Sequence, residues 1–261
     1  MARHRRAPLL AALLALCLLC ACSPAESADV ERQIELSKLS GQTDAAFCPG
    51  PSASAAPARY APVELIYQGP ELPNGCEVTS LAMLLRAAGY QADPLLLYQD
   101  YLPVQGFTYQ GGQRFAPSPE DYYIGDATSQ SDGWYCLEGP ILQAGNGYLG
   151  DVGGADRVIA LPDLTLEELA AYAQAGVPLA LWVTLGYAQP AYAGSSSWIL
   201  PSGEVYLPYS NLHCVVLSGM EDGQFLVADP IYGSYAIAPE TLWDSFSAMG
   251  CRAVMVDLAQ G

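Results

Sequence analysis

A thiol, an imidazole and a carboxylate in this sequence have the types and the order that nucleophilic catalysis requires. Cys76 follows a Pro-Asn-Gly turn and opens the apolar run CEVTSLAMLLRAAG. His213 lies 137 residues after it, and Asp229 lies a further 16 residues along the chain. A thiol becomes a strong nucleophile when a neighbouring imidazole takes its proton, and a carboxylate can hold that imidazole in orientation. We therefore interpret Cys76, His213 and Asp229 as a candidate catalytic triad.

The histidine content excludes other kinds of site. The chain contains two histidines, and His4 falls in an N-terminal segment that we expect to be removed. His213 is then the single histidine of the mature protein. Catalytic zinc sites usually take several histidine ligands, so we expect neither a zinc site nor another cofactor. The alternative is that His213 is a core residue bonded to a backbone carbonyl.

The pattern after Cys76 predicts a helix that begins at this residue. Apolar residues recur every three or four positions, at Val78, Leu81, Ala82, Leu85 and Ala88. Gly89 follows as a C-terminal cap. The free N–H groups and the positive dipole at a helix start favour an anion, and cysteines placed there have pKa values lowered to roughly 3.5–7.5. We therefore expect Cys76 to be a reactive thiolate.

The segments around His213 and Asp229 predict two antiparallel strands joined by a short turn. LHCVVLSG and QFLVADPIYG are rich in β-branched and apolar residues and flank the sequence EDG. A three-residue loop of Glu221, Asp222 and Gly223 would place His213 and Asp229 on one face, as diagonal neighbours. A two-residue loop would place them on opposite faces. We predict the three-residue loop, because Gly suits its left-handed third position.

The N-terminal region predicts export and membrane attachment. Residues 1–21 begin with a basic cluster and continue as a short uncharged apolar run, which is typical of a signal peptide. The run ends in LCAC, which resembles a bacterial lipobox and predicts cleavage before Cys22 with a lipid on its sulfur. Residues 22–59 are rich in Ala, Ser and Pro and are interpreted as a flexible linker. We expect an extracytoplasmic lipoprotein anchored in the membrane, with plain secretion as the alternative.

Residues 60–261 suit one domain, and composition limits its partners. Removal of the three arginines of the signal peptide takes the formal charge from −17 to −20. Such a chain should be repelled by nucleic acid, so we expect no nucleic-acid partner. Six of the eight cysteines would remain, and none forms a CxxC pair. Disulfide pairing stays open for the cysteines other than Cys22 and Cys76, namely Cys48, Cys136, Cys214 and Cys251.

Four segments resemble the C39-like cysteine peptidase family: LPNGCEVTSLAMLL, GVPLALWVTL, LHCVVLSGMEDGQFLVADPIYG and FSAMGCRAVMV. The resemblance covers roughly residues 60–257, and the order of Cys and His is that of papain-like enzymes. The resemblance implies an α+β papain-like fold, in which an N-terminal helix carrying Cys packs on an antiparallel sheet carrying His and Asp. It also implies that Cys76 is the nucleophile, His213 the general base and acid, Asp229 its orienting partner and Gln68 an oxyanion donor.

The sequence departs from the transporter-linked branch of this family. Gln68 lies eight residues before Cys76, farther than in that branch, and Glu77 follows the cysteine where that branch has Gly. We therefore do not carry over cleavage after a double glycine, and Gln68 could instead be a loop residue without a role.

We expect a bacterial, membrane-tethered cysteine peptidase that hydrolyses peptide or protein substrates through an acyl-enzyme intermediate, and we expect it to be a monomer. One alternative is a cell-wall amidase or endopeptidase that uses the same residues. Another is a non-catalytic binding lipoprotein on the same scaffold.

Overall fold

The computed structural model describes residues 60–259. The helices in this part of the chain are α1 (Cys76–Ala87), α2 (Pro94–Leu96), α3 (Glu138–Asp151), α4 (Leu166–Gln174) and α5 (Pro239–Ala248). The strands are β1 (Val104–Gln105), β2 (Thr108–Gln110), β3 (Gln113–Phe115), β4 (Tyr123–Ile124), β5 (Arg157–Leu161), β6 (Leu179–Thr184), β7 (Trp198–Ile199), β8 (Val205–Tyr206), β9 (Leu212–Glu221), β10 (Gln224–Asp229), β11 (Gly233–Ile237) and β12 (Ala253–Asp257). The predicted signal peptide, the linker and Cys22 lie outside the described residues.

Short helical turns complete the described chain. Residues Leu97–Tyr101 continue α2 as a π-helical turn, and residues Leu185–Tyr187 and Gly194–Ser196 form 3₁₀ turns. No helix among residues 60–259 has the length and apolar character needed to cross a bilayer.

A six-stranded sheet forms the centre of the fold. Its strand order is β11-β10-β9-β6-β12-β5, and every neighbouring pair is antiparallel. Strand β6, in the segment VPLALWVTL, lies in the sheet interior with all of its residues buried. A strand covered on both faces can be apolar throughout, which explains why its sequence shows no alternation. This sheet carries both His213 and Asp229.

Helices cover both faces of the central sheet and create two cores. On one face α1 and α3 pack against the side chains of Cys214 and Val216 from β9. On the other face α4 and α5 pack against Val215 and Leu217 of the same strand. Successive side chains of a strand point to opposite faces, so β9 supplies both cores in alternation.

Helix α1 begins at Cys76, as predicted, and is buried on nearly every side. All of its residues except Arg86 are buried. The Arg86 side chain folds back to donate from Nε to the carbonyl of Ala92, at 2.7 Å. The helix ends at Ala87 with Ala88 as its C-cap, and Gly89 follows with a positive φ of 96°. Burial on all sides fixes the position of its first turn between the sheet and the segment before α3.

Helix α4 begins with a capping box. The Thr165 hydroxyl accepts a hydrogen bond from the Glu168 N–H at 3.2 Å. The Glu168 carboxylate accepts one from the Thr165 N–H at 2.8 Å. These two bonds satisfy N–H groups that a helix start otherwise leaves free. The helix then buries Leu169 and Ala173 against the central sheet.

The hairpin of β9 and β10 corrects the predicted loop. Its turn has two residues, Asp222 and Gly223, and both have positive φ angles, 49° and 76°. Such angles match the two-residue turn that favours Asp-Gly. The predicted three-residue loop is therefore wrong. A β-bulge opposite Leu226 and Val227 leaves Ser218 of β9 without a pairing partner, because Leu226 pairs with Gly219 and Val227 with Leu217. The extra residue shifts the register by one and restores the predicted alignment beyond it.

A smaller sheet with the strand order β2-β3-β7-β8 forms an aromatic unit beside the central sheet. Trp198 lies at its centre, 1% exposed, and its indole N–H donates to the carbonyl of Pro117 at 3.1 Å. The Tyr135 and Tyr206 hydroxyls, 3.1 Å apart, connect this unit to the segment before α3.

Candidate active site

His213 and Asp229 form a buried hydrogen-bonded pair. His213 is the second residue of β9 and Asp229 the last of β10. The His213 Nε2 atom lies 3.0 Å from the Asp229 Oδ1 atom, and the two residues are 2% and 1% exposed. A carboxylate can only accept, so Nε2 carries the proton and Nδ1 keeps a free lone pair. The predicted hydrogen bond is confirmed, although the bulge rather than the loop produces the alignment.

Backbone and side-chain donors fix the Asp229 carboxylate. Its Oδ1 atom also accepts from the N–H groups of Ile231 at 2.7 Å and Tyr232 at 3.0 Å. Its Oδ2 atom accepts from the Tyr235 hydroxyl at 3.1 Å. Burial alone would raise the pKa of Asp229, but His213 and these N–H groups outweigh burial and lower the pKa. Asp229 is therefore held as an anion beside the imidazole.

Tyr235 is a member of this cluster that sequence analysis missed. Its hydroxyl meets both the Asp229 carboxylate and, at 2.7 Å, the Tyr187 hydroxyl. One tyrosine among many in the sequence carried no signal for this role. The hydroxyl chain closes the side of the carboxylate that His213 does not cover.

Gly75, the residue before the cysteine, lets the backbone at the start of α1 pass close to Leu72. A Cβ atom added at Gly75 would lie 2.8 Å from the Cβ of Leu72, closer than atoms normally approach. Glycine is therefore needed for the chain to turn from the Pro-Asn-Gly bend into the helix. This close turn places Cys76 at the first helical position, where the backbone N–H has no partner within the helix.

The Cys76 thiol is buried and bonded to the next residue. Its Sγ atom lies 3.3 Å from the Glu77 Oε2 atom, and Cys76 is 8% exposed. Burial and the Glu77 carboxyl raise the pKa of the thiol well above its ordinary value, although a backbone hydrogen bond from Cys214 acts in the opposite direction. The expected lowering of this pKa by the helix start is therefore wrong for this arrangement.

The thiol and the imidazole are not hydrogen-bonded to each other. Cys76 packs with Cys214, the residue after His213. His213 and Cys214 leave the strand on opposite faces. Within residues 60–259, the thiol has a hydrogen bond to Glu77 and none to His213. A thiol has one proton, so donation to Glu77 excludes donation to His213.

Gln68 connects the two parts of the site through its backbone and its side chain. Its N–H donates to the carbonyl of Pro230, the residue after Asp229, at 3.0 Å. Its side-chain Nε2 atom donates to the carbonyl of Pro73 at 2.6 Å, in the turn before Cys76. Gln68 is 7% exposed, and its Oε1 atom has no hydrogen-bond partner among the described residues. The second hydrogen on Nε2 remains available for another acceptor.

Glu77 is the second residue that sequence analysis missed as part of the site. It is 1% exposed, and its Oε1 atom accepts from the Cys136 N–H at 3.1 Å. A fully buried glutamate is rare. The signal in the sequence was its place in a mostly apolar run, directly after the cysteine.

The four cysteines of residues 60–259 are free thiols, namely Cys76, Cys136, Cys214 and Cys251. The same residues contain no group of three or more His, Cys, Asp or Glu side chains arranged to hold a metal ion.

Comparison with known proteins assigns the chain to a family. Residues 60–254 match the model of the Peptidase_C39 like family, and the protein belongs to that family. It is 30% identical over 189 residues to YvpB, an uncharacterized protein of Bacillus subtilis (strain 168). The aligned region covers 72% of this chain and 70% of YvpB. The structure is also similar to that of a proposed C39-like peptidase from Bacillus anthracis. That likeness has a TM-score of 0.63 and 26% identity, over 76% of this chain and 96% of the other. The predicted α+β papain-like fold and the family resemblance are confirmed.

Proposed function

We propose that this protein is a cysteine peptidase in which Cys76 is the nucleophile, His213 the general base and acid, and Asp229 the residue that orients the imidazole. The hydrogen bond from His213 Nε2 to the buried Asp229 carboxylate is the observation that carries the proposal. It fixes the tautomer in which Nδ1 can accept a proton. Membership of the C39-like family supports the same reaction class.

The proposed reaction begins with proton transfer from Cys76 to Nδ1 of His213. The sulfur attacks the substrate carbonyl carbon, and the carbonyl oxygen becomes an oxyanion. The Cys76 N–H and the second Nε2 hydrogen of Gln68 are the candidate donors to this oxyanion. Collapse breaks the C–N bond, and His213 gives its proton to the leaving amine. Water then hydrolyses the acyl-enzyme, with His213 as the base.

This chemistry requires the thiol to exchange partners. In the resting arrangement its proton faces Glu77, at 3.3 Å. The proposed reaction therefore requires movement of the Cys76 side chain, or of the first turn of α1, that brings the thiol within hydrogen-bond reach of His213. Catalytic hydrogen bonds are often long or unformed in proteins without substrate, so the arrangement is compatible with the proposed triad.

The substrate and the location of the protein are parts of the same proposal. A formal charge of −17 favours neutral or basic peptides over anionic polymers. The signal-peptide pattern of residues 1–21 and the LCAC sequence support attachment outside the cytoplasm through a lipid on Cys22. We propose that the protein acts there as a monomer.

The test is hydrolysis of a broad peptide library by the wild type, Cys76→Ser and Cys251→Ser. Loss of the nucleophile of a triad can lower turnover by about 10⁶. Cys251 has a half-buried thiol outside the site, so its variant should keep full activity and serves as the matched control. Cleavage by Cys76→Ser at the wild-type rate would refute the proposal. Release of fragments from purified cell wall, without peptide cleavage, would favour the amidase alternative.

A further inference from the structure

Glu77 is a buried carboxyl in contact with the proposed nucleophile, and the reaction above gives it no role. Its Oε2 atom receives the Cys76 thiol at 3.3 Å, and its Oε1 atom receives the Cys136 N–H at 3.1 Å. The Cys136 carbonyl in turn accepts from the Trp182 indole at 2.9 Å, which fixes that segment to β6. The Glu77 carboxyl is therefore held in one orientation by contacts at both of its oxygen atoms.

The first turn of α1 places two acidic groups, the Cys76 thiol and the Glu77 carboxyl, at its positive end. Cys76 is the first helical residue and Glu77 the second. A helix start stabilises negative charge, and the effect falls off within one turn. The Glu77 backbone N–H and the Cys136 N–H both favour the charged carboxylate. The helix start therefore stabilises the Glu77 carboxylate. The negative charge of that carboxylate repels a thiolate at Cys76.

On the basis of the proposed catalytic role of Cys76, we infer that Glu77 is a positioning residue that competes with the thiolate for the positive end of α1. It thereby keeps the resting nucleophile protonated and turned away from His213. Release of the thiol requires either transfer of its hydrogen bond to His213 or neutralisation of the carboxylate. Glu77 would thus restrain a reactive sulfur until substrate reorganises the site.

The groups around Glu77 make this restraint depend on pH near neutrality. Burial raises the pKa of Glu77 to about 7, and the His213 imidazole acts to lower it. The other titratable groups that face it are Cys76 on its own helix, Cys136 before α3, Tyr123 on β4 and Cys214 on β9. Burial raises the pKa of each of these four well above its ordinary value, so they stay neutral at pH 7. Among these groups, Glu77 is therefore the one whose pKa lies near that pH.

Glu77→Gln is the direct perturbation, because glutamine has nearly the same shape and lacks the charge. Its carbonyl oxygen can still accept the Cys136 N–H, and its amide can donate to the Cys76 sulfur. The matched control is Glu167→Gln. Glu167 also occupies the second position of a helix, α4, but it is exposed and far along the chain from the site.

The measurement is the pH profile of Cys76 alkylation by iodoacetamide, followed peptide by peptide by mass spectrometry on the full chain. This readout separates Cys76 from the other thiols and needs no substrate. In Glu77→Gln, we expect the midpoint for Cys76 to fall by about one pH unit or more, and the rate at pH 7 to rise about tenfold. Glu167→Gln should follow the wild type. A Cys76 profile in folded Glu77→Gln that superposes on the wild type would overturn the inference.

A second measurement applies if Glu77→Gln does not fold. In Cys76→Ala, Glu77 loses a hydrogen bond that stabilises its anion, so its titration should move to higher pH. Carboxyl ¹³C NMR of glutamate-labelled protein would follow this change, and an unchanged Glu77 titration would overturn the inference. Neither readout involves peptide hydrolysis. Failure of the inference would therefore leave the peptidase proposal untouched, and cleavage by Cys76→Ser would refute that proposal separately.

Discussion

Asp229→Asn tests the proposed triad because it removes charge with little change of shape. The Asp229 Oδ1 atom receives three N–H donors, one of them His213 Nε2 at 3.0 Å. An asparagine carbonyl oxygen in that position can still accept all three. The amide group would then replace Oδ2 and face the Tyr235 hydroxyl, which can accept from it if its own proton turns to Tyr187. The imidazole should therefore keep both its position and its tautomer.

The magnitude follows from the charge that is lost. During catalysis His213 becomes an imidazolium beside the carboxylate. Two unit charges about 4 Å apart interact by roughly 4 kcal/mol at an effective dielectric constant of about 20. Each 1.4 kcal/mol is about tenfold in rate, and the asparagine dipole retains part of the interaction. We therefore expect kcat/KM to fall by about 10²–10³, less than for loss of Cys76 or His213.

The assay compares kcat/KM for one library-selected peptide in the wild type, Asp229→Asn and Asp244→Asn. Asp244 lies exposed on α5, so its variant is the matched control for the same chemical change. Wild-type kcat/KM in Asp229→Asn would refute the role given to Asp229. A fall as large as that of Cys76→Ser would show instead that the imidazole had lost its orientation.

The lowered pKa of Asp229 adds a stability test to the same variants. A carboxyl whose pKa is lower in the folded state stabilises the fold at pH values above its unfolded pKa, about 3.9. That contribution disappears as pH falls through the lower, folded-state pKa. The difference in Tm between wild type and Asp229→Asn should therefore be larger at pH 7 than at the lowest pH that keeps both folded. An equal difference at both pH values would contradict the reasoning.

Two further predictions concern Gln68 and the N-terminus. If Gln68 donates to the oxyanion, Gln68→Ala should lower kcat by about 10²–10³, measured with the same peptide. An unchanged kcat would leave Gln68 only its structural bond to Pro73. Cys22→Ala should move the protein out of the membrane fraction and remove the lipid mass from the N-terminal peptide. Equal membrane attachment of an unlipidated Cys22→Ala protein would refute the anchor.

The hairpin shows where local patterns predict correctly and where they do not. The two strands and the approach of His213 to Asp229 on one face could be predicted, because apolar β-branched runs and an intervening turn are local signals. The turn length could not, since both Asp-Gly and Glu-Asp-Gly satisfy the preference for left-handed residues. The bulge at Ser218 had no signal, because it depends on how β9 fits two different cores. The bulge compensates for the one-residue error in the predicted turn length, so the predicted alignment of His213 with Asp229 is still reached.

The environment of Cys76 shows a different limit. The helix start was predictable from the glycine before it and the periodic apolar run after it. The pKa of the thiol was not, because the helix effect is opposed by burial and by a carboxyl whose orientation is fixed from another segment. Cys136, 59 residues along the chain from Glu77, supplies the N–H that holds that carboxyl. Contacts over such sequence separations leave no periodic pattern.

The proposed mechanism gives the single thiol proton two candidate acceptors, Glu77 and His213. Glu77 receives the proton in the resting arrangement, while His213 has an anionic partner ready to stabilise its charged form. Acid below about pH 7 neutralises Glu77 and so weakens its restraint on the thiol. Loss of the Glu77 charge should therefore remove the part of the pH dependence of Cys76 reactivity that the carboxylate causes.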